Sequence, residues 1–206
     1  MRITAALLAC AVAACSSQGS EAAERRDDTT GRRDSVAGVA AASMNDASAL
    51  GLLRMTHSAD SALGALGAAG GGSTEVKEFG RMILREHTSL GREAANVGRD
   101  AGFALEAPSV APDDAPSALR ENLMATPVGT GDWDLSYVAY AIAMHEAAME
   151  NTARALAATT RPEVRTYIER SVPILQKHLD RAKTLQARFT KAATPATPAT
   201  PSTKSP

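Results

Sequence analysis

The stretch from Tyr137 to Asn151 reads YVAYAIAMHEAAMEN, and its apolar residues recur at steps of three and four. This spacing places them on one face of an α-helix. The face runs through Val138, Ile142 and Met149, and His145 occupies a position within it. A helix with one apolar face must bury that face against other elements, so the stretch predicts a helical core with an imidazole inside it.

Three further segments show the same periodicity, and each has a recognisable end. The first extends from about Met44 to Ala69 and stops at three glycines, and the second begins at Ser73, a residue type that caps helices. The helix that contains His145 begins near Asp132, its predicted N-cap. The last begins with TRPE at Thr160, a capping box with proline in the first turn. Each helix holds roughly 26 to 30 residues and is about 40 Å long.

The links between the helices predict how the helices are arranged. Short links join the first pair and the last pair, so each pair forms an antiparallel hairpin. The middle link, residues 103–131, contains four prolines and a short helical pattern at about 117–125. Fully extended, this link is long enough to cover a helix of about 40 Å. We therefore expect an all-α, ferritin-like four-helix bundle over residues 43–191, with an up-down-down-up path; a simple up-and-down path is also compatible with the sequence.

Three histidines fall on the apolar faces at matching depths. His87, His145 and His178 each lie near the midpoint of a helix, and midpoints meet whichever way the helices run. Three neutral imidazoles at one level are suitable ligands for a transition metal ion or haem, with Met149, one turn from His145, as a possible soft ligand. The alternative is structural: the histidines pair with one another or with trapped water and fix the register of the helices.

The fourth histidine, His57, is predicted to lie on the surface. The apolar sector of the first helix centres on Leu52, Met55 and Leu63. At 100° per residue, His57 falls almost opposite this sector, beside Arg54.

Several kinds of chemistry are disfavoured by the sequence. Di-iron carboxylate bundles need Glu-x-x-His, but the residues three before the inward histidines are Leu84, Ile142 and Leu175. His145 and Glu146 are adjacent and point in different directions on a helix, which disfavours a hydrolytic or redox pair. Lys and Arg total 22 against 23 for Asp and Glu, so no basic surplus favours nucleic acid. A non-enzymatic binding role is favoured.

The two ends of the chain carry targeting and linker patterns. Residues 1–14, MRITAALLACAVAA, contain one positive residue and a short apolar run, and small residues precede Cys15. This is the pattern of a bacterial lipoprotein signal with Cys15 as the lipidated residue; Cys10 is a second match, and an ordinary secretory signal is the alternative. Residues 15–42 are predicted to be a disordered tether and the Thr/Pro-rich residues 192–206 a disordered tail.

The lipidation pattern also predicts a location. Ser16 follows Cys15, as in lipoproteins that are sent to the outer membrane. We therefore expect the protein on the periplasmic side of the cell envelope, attached to a membrane through its lipid. No cysteine follows Cys15, so the mature domain has neither a disulfide nor a thiolate metal site.

Three phrases together resemble a known family. They are EVKEFGRMILREH at 75–87, GDWDLSY at 131–137 leading to His145-Glu146, and PILQKHLDRA at 173–182. The chain resembles the bacterial "domain of unknown function" family numbered 4142, which contains predicted ferritin-like secreted or outer-membrane proteins, over roughly residues 44–190. The resemblance implies a four-helix ferritin-like fold and brings no established activity.

Overall fold

The computed structural model describes residues 44–108 and 111–193, and within them it contains five α-helices and no β-strand. The four long helices and the short helix of the middle link lie where the sequence predicted them, which confirms the all-α class. The helices are α1 (Asp46–Gly70), α2 (Thr74–Asp100), α3 (Ser117–Ala125), α4 (Gly131–Ala158) and α5 (Pro162–Ala193).

Side-chain caps determine where the long helices begin. Ser73 caps α2 as predicted, and its Oγ accepts a hydrogen bond from the backbone N–H of Val76 at 3.2 Å. The prediction for α4 was wrong: Thr130 is the N-cap, and its Oγ1 accepts from the N–H of Trp133 at 3.1 Å. Asp132 lies instead in the first turn, where its charge complements the helix dipole.

The start of α4 is attached to the turn between α1 and α2. The carboxylate of Asp134 accepts hydrogen bonds from the backbone N–H groups of Gly72 and Ser73, both at 2.7 Å. The N–H of Gly129 donates to the carbonyl oxygen of Gly70 at 3.0 Å. The first residues of α4 therefore lie beside the last residues of α1.

The turn between α4 and α5 lies at the other end of α1. The carboxylate of Asp46 accepts hydrogen bonds from Thr159 Oγ1 at 2.8 Å and from the N–H of Thr160 at 3.0 Å. Along their lengths, α1 packs against α2 and α4, and α5 packs against α2 and α4.

The link between α2 and α4 packs against α4. Asp113 and Asn151 exchange two hydrogen bonds, N–H of Asp113 to Asn151 Oδ1 at 2.8 Å and Asn151 Nδ2 to the Asp113 carbonyl at 3.0 Å. Helix α3 contacts α4, and its Leu123 is buried. The link thus covers the surface formed where α1 meets α4.

The core face of α1 includes small and polar residues as well as leucines, contrary to expectation. A Cβ on Gly64 would lie 2.3 Å from the backbone nitrogen of Leu84, so only glycine permits this approach of α1 to α2. Thr56, His57 and Asp60 are buried on the same face, whereas Met55, assigned to the apolar sector, is 47% exposed. Leu52 and Leu63 are buried as predicted, but because the contact with α2 selects small residues, large apolar side chains did not mark the whole buried face.

The buried face of α4 is also displaced from the predicted one. Leu135, Ile142, Met149 and Leu156 are half-buried, while the residue immediately before each of them in the sequence is buried. His145 lies on both the predicted and the observed face, and its relative exposure is 0%.

Two groups of apolar residues form the core, one toward each end of the long helices. The first, the Trp133 cluster, contains Leu63, Val76, Phe79, Ile83, Ala115, Leu123, Trp133, Tyr137, Val138, Ala141, Met144, Ala182 and Leu185. The second, the Tyr167 cluster, contains Ala49, Leu50, Leu53, Leu90, Ala94, Ala155, Val164, Tyr167 and Ile168. Between them along the helices lies the histidine layer, formed by His57, Asp60, His87, His145 and His178.

Some predictions fall outside the described residues. These are the signal peptide 1–14, the lipidated Cys15, the tether 15–42 and nearly all of the tail 192–206, whose first two residues belong to α5. In the part of the chain that the structure describes, none of the helices has both the length and the apolar character to cross a bilayer.

Candidate metal centre

The structure brings all four histidines of the chain together. The ring centroid of His87 lies 5.2 Å from that of His57, 5.4 Å from that of His145 and 5.0 Å from that of His178. The rings of His145 and His178 are 5.3 Å apart, and all four residues have a relative exposure of 0%. The predicted convergence of His87, His145 and His178 is confirmed.

The nitrogens that face the middle of the layer form a compact set. His87 Nε2 lies 3.1 Å from His178 Nδ1. His145 Nε2 is buried and has no hydrogen-bond partner among the described residues. Ligand atoms of these three residues all lie within 4.8 Å of one another, which is close enough for one ion to bind all three.

The opposite nitrogen of each ring faces an acceptor. His145 Nδ1 donates to the carbonyl oxygen of Ala141 at 2.8 Å, and His178 Nε2 donates to Glu86 Oε2 at 2.9 Å. His87 Nδ1 lies 3.3 Å from Asp60 Oδ2 and 3.1 Å from His57 Nδ1. Metal-binding histidines nearly always direct their second nitrogen at a carboxylate, a carbonyl or water, which fixes the tautomer and the ring orientation.

These contacts determine which nitrogens carry lone pairs. Because His145 donates from Nδ1 and His178 from Nε2, the inner nitrogens of both neutral rings are unprotonated. Without a metal ion, His87 Nε2–H is the donor that satisfies His178 Nδ1, and the proton-free Nδ1 of His87 then faces Asp60. A metal ion would take the place of that inner proton, and the proton of the ring would then be on His87 Nδ1, which faces the Asp60 carboxyl.

Burial keeps the imidazoles in the neutral form that binds metals. Burial, with a smaller contribution from neighbouring histidines, lowers the pKa of both His57 and His145 to about 4. Burial also lowers the pKa of His87 well below its usual value and lowers that of His178, for which the carboxylate of Glu86 acts in the opposite direction.

The two carboxyl groups of the site differ in environment. Burial raises the pKa of Asp60 well above its usual value, and the charge of Asp114 raises it further. For Glu86, burial alone would raise the pKa, but hydrogen bonds from Lys177 and His178 outweigh it and lower the pKa. Glu86 is therefore the ionised carboxylate of the site, while Asp60 is poised to lose its proton when a cation binds nearby.

The prediction that His57 lies on the surface was wrong. His57 and Asp60 face α2 because the buried stripe of α1 runs through Leu53, His57, Asp60, Gly64 and Gly67, at steps of four and three. Asp60 was not predicted as a site residue because it lies on this same stripe, which the prediction placed on the surface. The signal was present in the sequence, as a helical stripe of small and polar residues that an apolar criterion does not detect.

Three other residues behave differently from the core histidines. Glu86 immediately precedes His87 in the sequence, yet it reaches α5 and contacts His178 and Lys177. Glu146 is exposed and pairs with Lys183 at 3.0 Å, so it does not act with the buried His145. Met149 is half-buried on α4, and its role as a soft ligand stays a prediction.

A second group of ligand atoms shares His87. His57, Asp60 and His87 also have ligand atoms within 4.8 Å of one another, through the outer nitrogen of His87. An ion here would take the place of the outer contacts of His87. The inner set leaves those contacts intact, so the inner set is the better primary site.

Two depressions of the surface lead to this layer. A groove of about 530 Å³ between α1 and α2 is lined by Arg54, Arg92, His57 and His87, among others. A cleft of about 210 Å³ beneath the link is lined in part by Asp60, Met144 and Asp114.

Comparison with known proteins gives a family but no activity. A search of curated proteins and a search of solved structures each returned no match. The family described as Domain of unknown function (DUF4142) matches residues 32–185, which is most of the 206 residues. With all three quoted phrases inside that range, the chain belongs to the DUF4142 family.

Proposed function

We propose that this protein binds a single transition metal ion through His87 Nε2, His145 Nε2 and His178 Nδ1. The observation that carries the proposal is the pairing of inner and outer nitrogens. Each inner nitrogen faces the common centre or lacks a partner, and each outer nitrogen faces an oxygen or nitrogen acceptor. This arrangement is the first shell and the supporting shell of a histidine metal site.

The distances suit an ion bound by imidazoles. Zinc–nitrogen bonds of about 2.0–2.1 Å in tetrahedral geometry separate the nitrogens by about 3.3 Å. His87 Nε2 and His178 Nδ1 are 3.1 Å apart, so a small adjustment accommodates an ion between them. Three nitrogen ligands without sulfur favour Zn²⁺, Cu²⁺ or Co²⁺ over Ca²⁺ or Mg²⁺, which prefer oxygen.

Haem does not fit the same residues. The rings of His87, His145 and His178 pack at centroid distances of 5.0–5.4 Å, which leaves no space for a porphyrin between them. An ion at the centre would cross-link α2, α4 and α5 within a closed core. The proposed role is therefore to hold a metal ion, and binding would stabilise the folded state.

Metal content of purified variants tests the proposal. The wild-type protein, stripped with chelator and dialysed against Zn²⁺ or Cu²⁺, is expected to retain a single ion per chain. His145→Gln is expected to retain none, because it loses one ligand and buries an amide in its place. His57→Gln is the matched control, a buried histidine of the same layer outside the proposed ligand set; it should retain the ion at saturating metal, with weaker affinity because His57 contacts His87 Nδ1. A wild-type protein that retains no ion, or an equal content in His145→Gln, would contradict the proposal.

We also propose that the four long helices form a ferritin-like four-helix bundle. The support is that α4 begins beside the end of α1 and ends beside its start, as hydrogen bonds at Gly129 and at Asp46 indicate. The link from α2 must then return along the molecule, as in an up-down-down-up path. Distances by spin labels on α2 and α4 test this path: labels at the starts of both helices should be closer than labels at opposite ends.

The expected location completes the proposal. The signal pattern of residues 1–15 supports a protein held at the periplasmic face of an envelope membrane by a lipid on Cys15. Incorporation of a labelled fatty acid into the full chain tests this, and Cys15→Ser should abolish the labelling while Cys10→Ser should not. Equal labelling of the Cys15→Ser variant would contradict the assignment.

A further inference from the structure

The cleft beneath the link adjoins two of the three proposed ligands. Its walls come from α1, α4 and residues 112–114 of the link. Asp60, on one wall, lies 3.3 Å from the ring of His87, and Met144, on another, immediately precedes His145. The cleft therefore approaches the proposed metal site from the side of Asp60.

Two side chains inside the cleft carry unused polar atoms. Both carboxyl oxygens of Asp60 and the hydroxyl of Thr56 are buried and have no hydrogen-bond partner among the residues that the structure describes. The relative exposures are 0% for Asp60 and 6% for Thr56. A buried carboxyl without a donor is unfavourable unless it is protonated or a cation is close, so this pair of side chains is suited to receive a cation.

The mouth of the cleft has the charge that attracts a cation. Asp113 and Asp114 lie there, both exposed. Asp113 is balanced in part by Arg154 at 3.1 Å, whereas Asp114 Oδ1 accepts a hydrogen bond from the neighbouring backbone N–H of Ala115 at 2.8 Å. Asp114 thus presents a negative charge above the buried Asp60.

The groove on the other side of α1 has the opposite charge. Arg54 and Arg92 line it together with His57 and His87, and no acidic side chain is among its lining residues in the described part of the chain. Two arginines at an entrance repel an approaching divalent cation. Of the two depressions, the acidic cleft is the one electrostatically suited to admit a metal ion.

From this contrast we propose that the cleft lined by Thr56, Asp60 and Asp114 is a transient cation site through which a divalent metal ion reaches the histidine layer. The inference rests on the proposed metal-binding function. Asp114 attracts the hydrated ion, and the Asp60 carboxyl and Thr56 hydroxyl replace part of its water shell. The ion then passes to the inner nitrogens: the proton of the Asp60 carboxyl moves to His87 Nδ1, 3.3 Å away, and the proton displaced from His87 Nε2 leaves to solvent.

Uptake kinetics of the metal-free full chain test this route. Co²⁺ is mixed with the protein at low ionic strength, and the visible absorption of the bound ion is followed in time. Asp114→Asn is expected to slow uptake by about threefold or more, because the attracting charge is lost. The difference should disappear at about 1 M salt, where the screening length is about 3 Å. Glu169→Gln, which removes an exposed charge on α5, is the control and should leave the rate unchanged.

A pair of steric variants tests the route without changing charge. Ala59 lines the cleft from an exposed position, and Ala95 lines the groove from a half-buried one. Ala59→Phe is expected to slow Co²⁺ uptake at every salt concentration, and Ala95→Phe to leave it unchanged. Circular dichroism of both variants verifies that they are folded.

The outcomes separate the two proposals. A wild-type protein that binds no Co²⁺ would overturn both. If the wild-type protein binds Co²⁺ but neither Asp114→Asn nor Ala59→Phe changes the rate of uptake, the route is overturned and the metal site is not. Slower uptake in Ala95→Phe, or faster uptake in Arg92→Gln with unchanged uptake in Asp114→Asn, would assign entry to the groove instead.

Discussion

The histidine layer and the two apolar clusters belong to the same helices but differ in how their polar atoms are satisfied. In the clusters, Tyr137 Oη donates to the carbonyl of Leu63 at 3.2 Å and Tyr167 Oη donates to that of Leu90 at 3.0 Å. Of the six buried side-chain polar atoms without a partner in the described residues, five belong to Thr56, His57, Asp60 and His145, in or beside the layer.

The difference indicates that the apolar clusters stabilise the fold and that the histidine layer is suited to a ligand. Each unsatisfied buried polar group destabilises the folded state by about 1–3 kcal/mol, so the metal-free layer opposes folding and the clusters must compensate for it. Sites that violate the rules of a well-packed core at a cost in stability are typically functional. The comparison predicts that substitutions in the clusters act on stability alone, and substitutions in the layer act on both stability and metal binding.

The largest effect is expected in the Trp133 cluster. Trp133 is 2% exposed and stacks on Tyr137 with ring centroids 5.3 Å apart. Trp133→Ala should lower the free energy of unfolding by about 3–5 kcal/mol, through lost burial and the cavity that remains. Urea denaturation of the metal-free protein measures this change in the free energy of unfolding. Met124→Ala, at a site 70% exposed, should change stability by less than about 0.5 kcal/mol. If the loss of stability in Trp133→Ala depended on added metal, the proposed division between the apolar clusters and the histidine layer would be contradicted.

Metal binding should offset the instability of the layer. With free Zn²⁺ at about 100 times the Kd, the wild-type protein should gain about 2.7 kcal/mol, because the ion binds the folded state alone. His178→Gln should lose this gain, since the proposed ligand Nδ1 is gone. Thermal unfolding with and without Zn²⁺ measures both. A melting temperature of His178→Gln that rises with Zn²⁺ as much as that of the wild type would remove His178 from the ligand set.

The layer should also make metal-free stability depend on pH. His57 and His145 have folded-state pKa values of about 4, below the unfolded value of about 6.5, so their contribution is complete above pH 6.5 and is lost as the pH falls toward 4. We expect each of the two residues to contribute a loss of about 2 kcal/mol between pH 7 and pH 5.

Asp60 acts in the opposite direction. Its folded-state pKa is raised, so protonation at low pH relieves part of the cost of burying it. Urea unfolding at several pH values, with chelator present, gives the net slope of the free energy of unfolding against pH. In Asp60→Asn, where this opposing contribution is absent, a midpoint that does not change from pH 8 to pH 5 would contradict neutral buried imidazoles in the unliganded protein.

The sequence predicted the apolar helices well because large side chains reported their buried faces directly. The stripe of α2 from Val76 through Phe79, Ile83 and Leu90 is buried as expected, and His87 lies within it. Depth along the helix was sufficient to predict that His87, His145 and His178 meet, since helices of similar length place their midpoints at one level.

The same reasoning failed for part of α1: Leu52 and Leu63 are buried as expected, but the close contact with α2 also buries small and polar residues. Gly64 and Gly80 allow α1 and α2 to approach until a Cβ on either would lie 2.3 Å from the other helix's backbone. In such a contact, small and polar residues are inside and Met55 is outside. The half of the site that α1 provides, His57 and Asp60, became evident only from the packing.

Substitution of Asp60 is expected to give the smallest change in stability. It also compares the histidine layer with the apolar clusters most directly. Asp60→Asn keeps the shape of the side chain and removes a buried carboxyl that has no hydrogen-bond donor, so the metal-free protein should become more stable by about 1 kcal/mol. The same change should weaken metal binding by about 10- to 100-fold, because the amide replaces the carboxylate beside His87 Nδ1.

Urea unfolding with chelator and titration with Zn²⁺ measure the two effects separately in one variant. Thr152→Val is a suitable control, since Thr152 is buried on α4 and its hydroxyl is satisfied by the carbonyl of Ala148 at 2.7 Å. It should lose stability without losing affinity. If Asp60→Asn instead lowered metal-free stability and left affinity unchanged, Asp60 would belong with the groups that hold the fold. The layer would then be a structural feature of the core, as the alternative interpretation of the sequence holds.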